Sequence, residues 1–84
     1  MQKVFLAITA KGLQQALAAS SETGAAVWCG ADAVSEQDYK LHSASSLSRF
    51  NFPLAAASED VFSGAVDTIR DHHPEDTIWI ESTV

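Results

Sequence analysis

The sequence predicts an α+β fold, an α/β sandwich of the ferredoxin-like kind with the element order βαββαβ. In this arrangement two helices pack on one face of a four-stranded antiparallel sheet. Three observations lead to it: two successive strand–helix–strand units, a length of 84 residues that suffices for one core, and 46% hydrophobic residues. We therefore expect residues 1–84 to form a single globular domain.

The first unit consists of an apolar strand, a capped helix and a second short strand. Residues 3–9 are apolar on both faces, which is typical of a strand inside a sheet. Thr9 is a suitable N-cap and Gly24 a suitable C-terminal stop, so a helix is predicted over about residues 10–23. The apolar segment Ala25–Gly30 ends in glycine and is predicted to be the second strand.

Residues 31–47 are a connection of variable structure between the two units. Ser35 is a candidate N-cap for a helical turn, and the alternative is a serine-rich loop. A connection of about seventeen residues is longer than the close hairpin that joins the two middle strands of the ferredoxin-like fold. A small parallel or mixed α/β sheet is therefore the alternative fold.

The second unit repeats the order of the first. Apolar and polar residues alternate over residues 48–54, which indicates a strand. Ser58 is a good N-cap and Pro74 prevents a helix from continuing, so the second helix is predicted over about residues 59–72. Residues 77–83 alternate again and are predicted to form the last strand.

The chain is acidic, with a formal net charge of −6. A negative surface repels phosphate groups, so nucleic acid is not an expected partner. The same charge favours encounter with a basic protein, although many small domains carry such a charge only for solubility. We therefore expect a protein partner or self-association.

Cysteine content and hydropathy indicate a compartment. The chain contains one cysteine, Cys29, so no internal disulfide can form, and small domains without disulfides are typical of reducing compartments. The apolar run at the amino end stops at Lys11, which is too short for a secretion signal. No segment approaches the roughly 20 apolar residues of a membrane span. A cytoplasmic protein without membrane contact is expected.

Cys29 is the candidate catalytic nucleophile because it ends a predicted strand and precedes a glycine. A thioredoxin-type motif needs cysteine at position 32, which is Asp32, and a phosphatase-type loop needs arginine at position 35, which is Ser35. His42 or His72 is the candidate base of a Cys–His pair. The alternative is a buried cysteine that behaves as a small hydrophobic residue.

His72, His73 and Glu75 are candidate metal ligands. Adjacent histidines of one helix point about 100° apart, so regular helical geometry does not direct both at one ion. The alternative is a helix C-terminus at which the imidazoles interact favourably with the helix dipole. We expect no metal, because no recognisable metal-ligand spacing occurs, and no other cofactor, because the glycines are isolated and form no phosphate-binding loop.

Three aromatic residues, Phe5, Trp28 and Trp79, are candidates for an interaction surface. If helices cover only one face of the sheet, these side chains populate the open face. An exposed aromatic patch is typical of a contact between proteins. The alternative is that the tryptophans belong to the core.

The sequence favours a non-enzymatic protein-interaction or regulatory domain, either an inhibitor of a basic partner or a homodimerising module. The charge and the aromatic residues support this interpretation, and no metalloprotease or serine-hydrolase motif occurs. The alternative is a small enzyme or ligand-binding protein that uses Cys29 with His42 or His72.

Overall fold

The computed structural model describes residues 3–41, 47–55 and 57–81. Seven elements follow one another along the chain: β1 (Lys3–Ala7), α1 (Ala10–Thr23), β2 (Ala26–Cys29), α2 (Glu36–Leu41), β3 (Leu47–Arg49), α3 (Glu59–His72) and β4 (Thr77–Ile80). The four strands form one sheet in the order β3-β2-β1-β4, and every neighbouring pair is parallel. This is an α/β fold with a fully parallel sheet.

Both long helices begin and end where the sequence predicts. The Thr9 Oγ1 accepts a hydrogen bond from the Gly12 N–H at 3.1 Å and so caps α1. This helix ends at Gly24, which has a φ of 74°, a left-handed conformation that glycine adopts without strain. Ser58 caps α3 in the same way, since its Oγ accepts from the Val61 N–H at 3.3 Å. The predicted bounds of the two helices are confirmed.

The predicted antiparallel, ferredoxin-like sheet is wrong. β2 and β3 are parallel neighbours, and β4 is the parallel neighbour of β1. The reason lies in residues 31–47, where the chain forms α2 after Ser35, whose Oγ accepts from the Asp38 N–H at 3.1 Å. The connection is thus a helical crossover that re-enters the sheet in the same direction, not a hairpin that turns back. A small parallel sheet, the alternative fold, is what the structure shows.

The helices cover both faces of the sheet, whereas the sequence predicted both helices on one face. On one side, here the α1 face, Leu13 and Tyr39 bring α1 and α2 against Val27. On the other side, the α3 face, Ile69 of α3 packs against Leu6. Because parallel sheets are buried on both faces, this arrangement explains why β1 is apolar from Val4 to Ala7.

The third strand is much shorter than predicted. β3 ends at Arg49, and of the alternating aromatic residues beyond it Phe50 is buried while Phe52 is 37% exposed. The Phe52 carbonyl accepts from the Ala31 N–H at 3.0 Å, so this segment is bound to the loop after β2 instead of continuing the sheet.

Candidate functional site

The direction in which the chain crosses the sheet reverses beside β1. From β1 the chain passes to β2 and β3 on one side, and α3 then carries it to β4 on the other side. In open parallel sheets, ligands bind outside the carboxyl ends of the strands at such a reversal. The candidate site is therefore the region where β1 and β4 end.

A side chain of the protein itself fills this position. The carboxylate of Glu81, the residue after β4, accepts hydrogen bonds from the Ile8 N–H at 2.6 Å and the Thr9 N–H at 2.8 Å. It also accepts from the Thr9 hydroxyl at 2.5 Å. A Cβ atom at Gly12 would overlap the carboxylate, so glycine leaves the room that Glu81 needs. The start of α1 thus holds an internal anion.

The environment of Glu81 favours its ionised form. Burial raises the pKa of this carboxyl group, but the hydrogen bonds from Thr9 and Ile8 outweigh burial and hold the pKa below its ordinary value. The charge of Asp32 opposes them only in part. Glu81 therefore carries a negative charge at neutral pH and ties the end of β4 to the turn between β1 and α1.

The outer edge of β4 is the second feature of this side of the sheet. In the ranges that the structure describes, no strand pairs with β4 on the side away from β1. The strand has the sequence Thr-Ile-Trp-Ile, without charge, proline or glycine. Trp79 is 51% exposed and Ile80 is 46% exposed. An apolar edge strand of this kind is open to pairing with another strand.

A groove of about 310 Å³ runs beside this edge on the α1 face. Phe5 and Trp79, which are register partners in β1 and β4, lie along it. Ala16 and Ala19 of α1 line its opposite wall. Their short side chains keep α1 from covering the indole, and the Lys3 ammonium lies 5.4 Å from the ring centroid. Trp79 is therefore half-exposed beside the groove.

The structure brings two of the three predicted aromatic residues together and separates the third. Phe5 and Trp79 share the α1 face, whereas Trp28 packs on the α3 face. The Trp28 ring centroid lies 5.3 Å from that of Phe50 and 5.4 Å from that of His72. Trp28 is thus a partly buried core residue, and Trp79 marks the exposed edge.

The candidate metal ligands are engaged in other contacts or exposed. The indole N–H of Trp28 donates to His73 Nε2 at 3.3 Å, and His73 Nδ1 lies 3.2 Å from an Asp76 carboxylate oxygen. Since indole is only a donor, Nε2 is the acceptor in the contact with Trp28. The His72 ring packs against the Trp28 ring at an interplanar angle of 47°, and Glu75 is exposed. Among the residues described, no three histidine, cysteine or acidic side chains converge on one point.

Cys29, the candidate nucleophile, is fully buried on the α1 face. Burial raises the pKa of its thiol to about 11, and the nearby Arg49 guanidinium lowers it by less. The thiol is therefore protonated at neutral pH, which is the unreactive form. His72 lies on the other side of the sheet, with Trp28, and His42 is outside the described residues.

A wider depression of about 750 Å³ lies between α1 and the loop after β2. Asp32 lines it, but its carboxylate accepts from the N–H groups of Leu54 and Ala55 at 3.2 and 2.9 Å. This aspartate therefore holds the segment after β3 in place.

Sequence reasoning missed two residues of the site. Glu81 was placed only by alternation in the last strand, and its hydrogen-bond partners are more than seventy positions away in the chain. Ile80 was not among the candidate interaction residues, and its exposure follows from the edge position of β4. Gly12 lies in the first turn of α1, where a glycine can indicate that another group lies close to the helix. In the structure this group is the Glu81 carboxylate.

Comparison with known proteins adds no family to this description. No protein-family model, curated protein or solved structure gives a significant match to the chain. No helix in the described ranges has the length and hydropathy needed to cross a membrane.

Proposed function

We propose that this chain is a protein-interaction module whose contact element is the outer edge of β4. The observation that carries the proposal is the half-exposed, uncharged strand Thr77–Ile80, which pairs with β1 on one side only within the described residues. Addition of a strand to such an edge supplies backbone hydrogen bonds, and neighbouring pockets supply specificity. The groove beside Trp79 is such a pocket.

The two edges of the sheet differ in a way that favours β4. β3 spans only three residues, and its Arg49 side chain donates to the carbonyls of Val34 and Ala31 at 2.8 and 3.3 Å. The Tyr39 hydroxyl donates to the Leu47 carbonyl at 3.3 Å. Side chains thus occupy the β3 edge, and short or covered edges resist strand addition. In the residues described, no side chain bonds to the outer edge of β4 in this way.

Amide hydrogen exchange tests the proposal without knowledge of the partner. A ¹⁵N-labelled chain is compared as a dilute isolated protein, at high concentration, and in a concentrated extract of its native cells. Relative to the dilute sample, we expect added protection of the Ile78 and Ile80 amides at high concentration or in the cell extract. The amides of Leu47 and Arg49, on the β3 edge, are the internal control and should show none.

A matched pair of variants assigns the protection to the strand edge. Ile80→Pro removes an outward N–H and should abolish the added protection at Ile78, whereas Ile80→Ala keeps this N–H and should retain it. Added protection confined to the β3 edge or to the helices contradicts the proposal, and so does its absence from every condition.

A further inference from the structure

The direction of the backbone groups in β4 limits how another strand can pair with it. The Glu81 N–H donates to the Leu6 carbonyl at 2.9 Å, towards β1. Because neighbouring residues of a strand direct their backbone groups to opposite sides, Thr77 and Trp79 also point towards β1. Ile78 and Ile80 therefore present their N–H and C=O groups outwards. An added strand has to pair with these two residues.

We infer that the strand which pairs with β4 is β4 of a second copy, antiparallel to the first and centred on Trp79. This inference rests on the proposed function of the β4 edge. A twofold axis normal to the sheet joins the two edges, and closed dimers of this symmetry are the commonest protein oligomers. Residues that lie directly opposite each other in the two copies then have their side chains on the same face of the sheet. The axis therefore passes between one residue and the same residue of the second copy.

The register is set by the outward groups. With Trp79 opposite Trp79 of the second copy, Ile78 pairs with Ile80 of the second copy and Ile80 pairs with its Ile78. All outward N–H and C=O groups of β4 are then hydrogen-bonded. A register centred on Ile78 would pair Ile80 with Asp76. The Asp76 N–H already donates to the His73 carbonyl at 3.2 Å, which leaves the Ile80 carbonyl of each copy without a donor. The register centred on Trp79 thus forms the ladder from Thr77–Glu81 alone.

The side chains on both faces fit this register. On the α3 face, the half-exposed Ile80 comes to lie against Ile78 of the second copy, an apolar pair of β-branched residues. On the α1 face, the two Trp79 residues form a non-hydrogen-bonded pair, in which Cα atoms are about 4.5 Å apart. The groove of about 310 Å³ on each copy gives the indoles room to pack.

The local charges at this edge fit a second copy, although the net charge of −6 makes two copies repel one another at longer range. Lys3, aligned with Thr77, is the charged group in contact with the Trp79 ring, and it repels a basic partner. The antiparallel register places Glu81 of the second copy opposite Thr77, in the same row as Lys3. Four of the acidic residues belong to α3 and not to the β4 edge: Glu59, Asp60, Asp67 and Asp71.

Disulfide trapping reads the register directly. Each twofold register brings one residue face to face with itself, and disulfides require Cα atoms within about 7 Å. Three variants, Ile78→Cys, Trp79→Cys and Ile80→Cys, are oxidised with glutathione disulfide, and the wild-type chain with its buried Cys29 is the control. Trp79→Cys should form a covalent dimer, with a yield at least about fivefold above the other two. Far-ultraviolet circular dichroism shows that each variant is folded.

The outcomes separate this inference from the proposed function. Preferential trapping of Ile78→Cys or Ile80→Cys overturns the register. Equal low yields from all three, together with a wild-type chain that scatters light as a monomer at about 1 mM, overturn the second copy as the partner. In that case, added exchange protection at Ile78 and Ile80 in cell extract would still support strand addition by a different protein.

Discussion

At the scale of single residues, Glu81 accepts hydrogen bonds from a distant part of the chain. It binds Ile8 and Thr9 through three hydrogen bonds and thereby joins the end of β4 to the start of α1. An ionised acceptor for N–H groups at a helix start also interacts favourably with the helix dipole. The carboxylate therefore stabilises the junction on which the position of the β4 edge depends.

The stability that Glu81 provides is expected to depend on pH. Its pKa is lowered in the folded chain, so its contribution is fully present above the unfolded value of about 4.5 and is lost as pH falls through the folded value. Glu81→Gln should cost about 1–3 kcal/mol at pH 7 because charged hydrogen bonds are lost. Urea denaturation of both chains at pH 7 and pH 3 measures this difference, which should shrink at pH 3. An equal difference at both pH values would contradict the ionised role.

Cys29 is expected to react slowly with thiol reagents. Because burial raises its pKa to about 11, the thiolate fraction at pH 7.5 is at least about a hundredfold below that of an unfolded cysteine. Labelling by iodoacetamide should be slow in buffer, faster as pH rises, and complete within minutes in urea. Fast labelling of the native chain at pH 7.5 would favour the catalytic interpretation of this residue.

Residue positions could be predicted from the sequence only where the cause is local. The caps Thr9 and Ser58 and the stop at Gly24 depend on backbone groups within a few positions, and all three are confirmed. The role of Glu81 depends on partners at the other end of the chain, which only the strand order brings close. No local pattern indicates it.

At the scale of elements, the two long helices are expected to differ in how much they depend on their caps. Ser58 bonds the start of α3 alone, whereas Thr9 caps α1 and also donates to Glu81. Ser58→Ala should cost about 1 kcal/mol, and Thr9→Ala about 2 kcal/mol or more. Urea denaturation at pH 7 compares the two. Equal costs would show that the bond from Thr9 to Glu81 adds nothing to stability.

Helix bounds follow from sequence, but strand direction does not. Hydrophobic periodicity and caps define α1 and α3 locally, so both were predicted to the residue. Strand pairing depends on whether the chain between β2 and β3 turns back or crosses over. That choice lies in the six-residue helix α2, which a weak serine cap and a short polar segment do not distinguish from a loop.

At the scale of the whole molecule, the parallel order β3-β2-β1-β4 creates the candidate interface. An antiparallel ferredoxin-like sheet carries its helices on one face, so the predicted fold placed Phe5, Trp28 and Trp79 on the open face. In the parallel sheet, Trp28 packs on the α3 face against Phe50, whereas Trp79 lies at an edge. The prediction that the aromatic residues form an interface stays a prediction, while the placement of these residues on the sheet required the topology.

Net charge makes a prediction at this scale because it distinguishes two kinds of partner. Two copies that each carry −6 repel one another, so salt should strengthen a dimer held by apolar and backbone contacts. Binding to a basic protein should weaken under the same change. The salt dependence of association therefore separates the two interpretations of the acidic composition.

Sedimentation equilibrium of the wild-type chain, Ile80→Ala and Ile80→Pro tests the role of the β4 edge most directly. The wild type should approach twice the 9.0 kDa mass of one chain as concentration rises, and more readily when sodium chloride increases from about 50 to about 500 mM. Ile80→Ala should weaken the dimer about tenfold, and Ile80→Pro at least about a hundredfold. A dimer that Ile80→Pro leaves intact, or a wild type that is monomeric in all conditions, would contradict self-association through this edge.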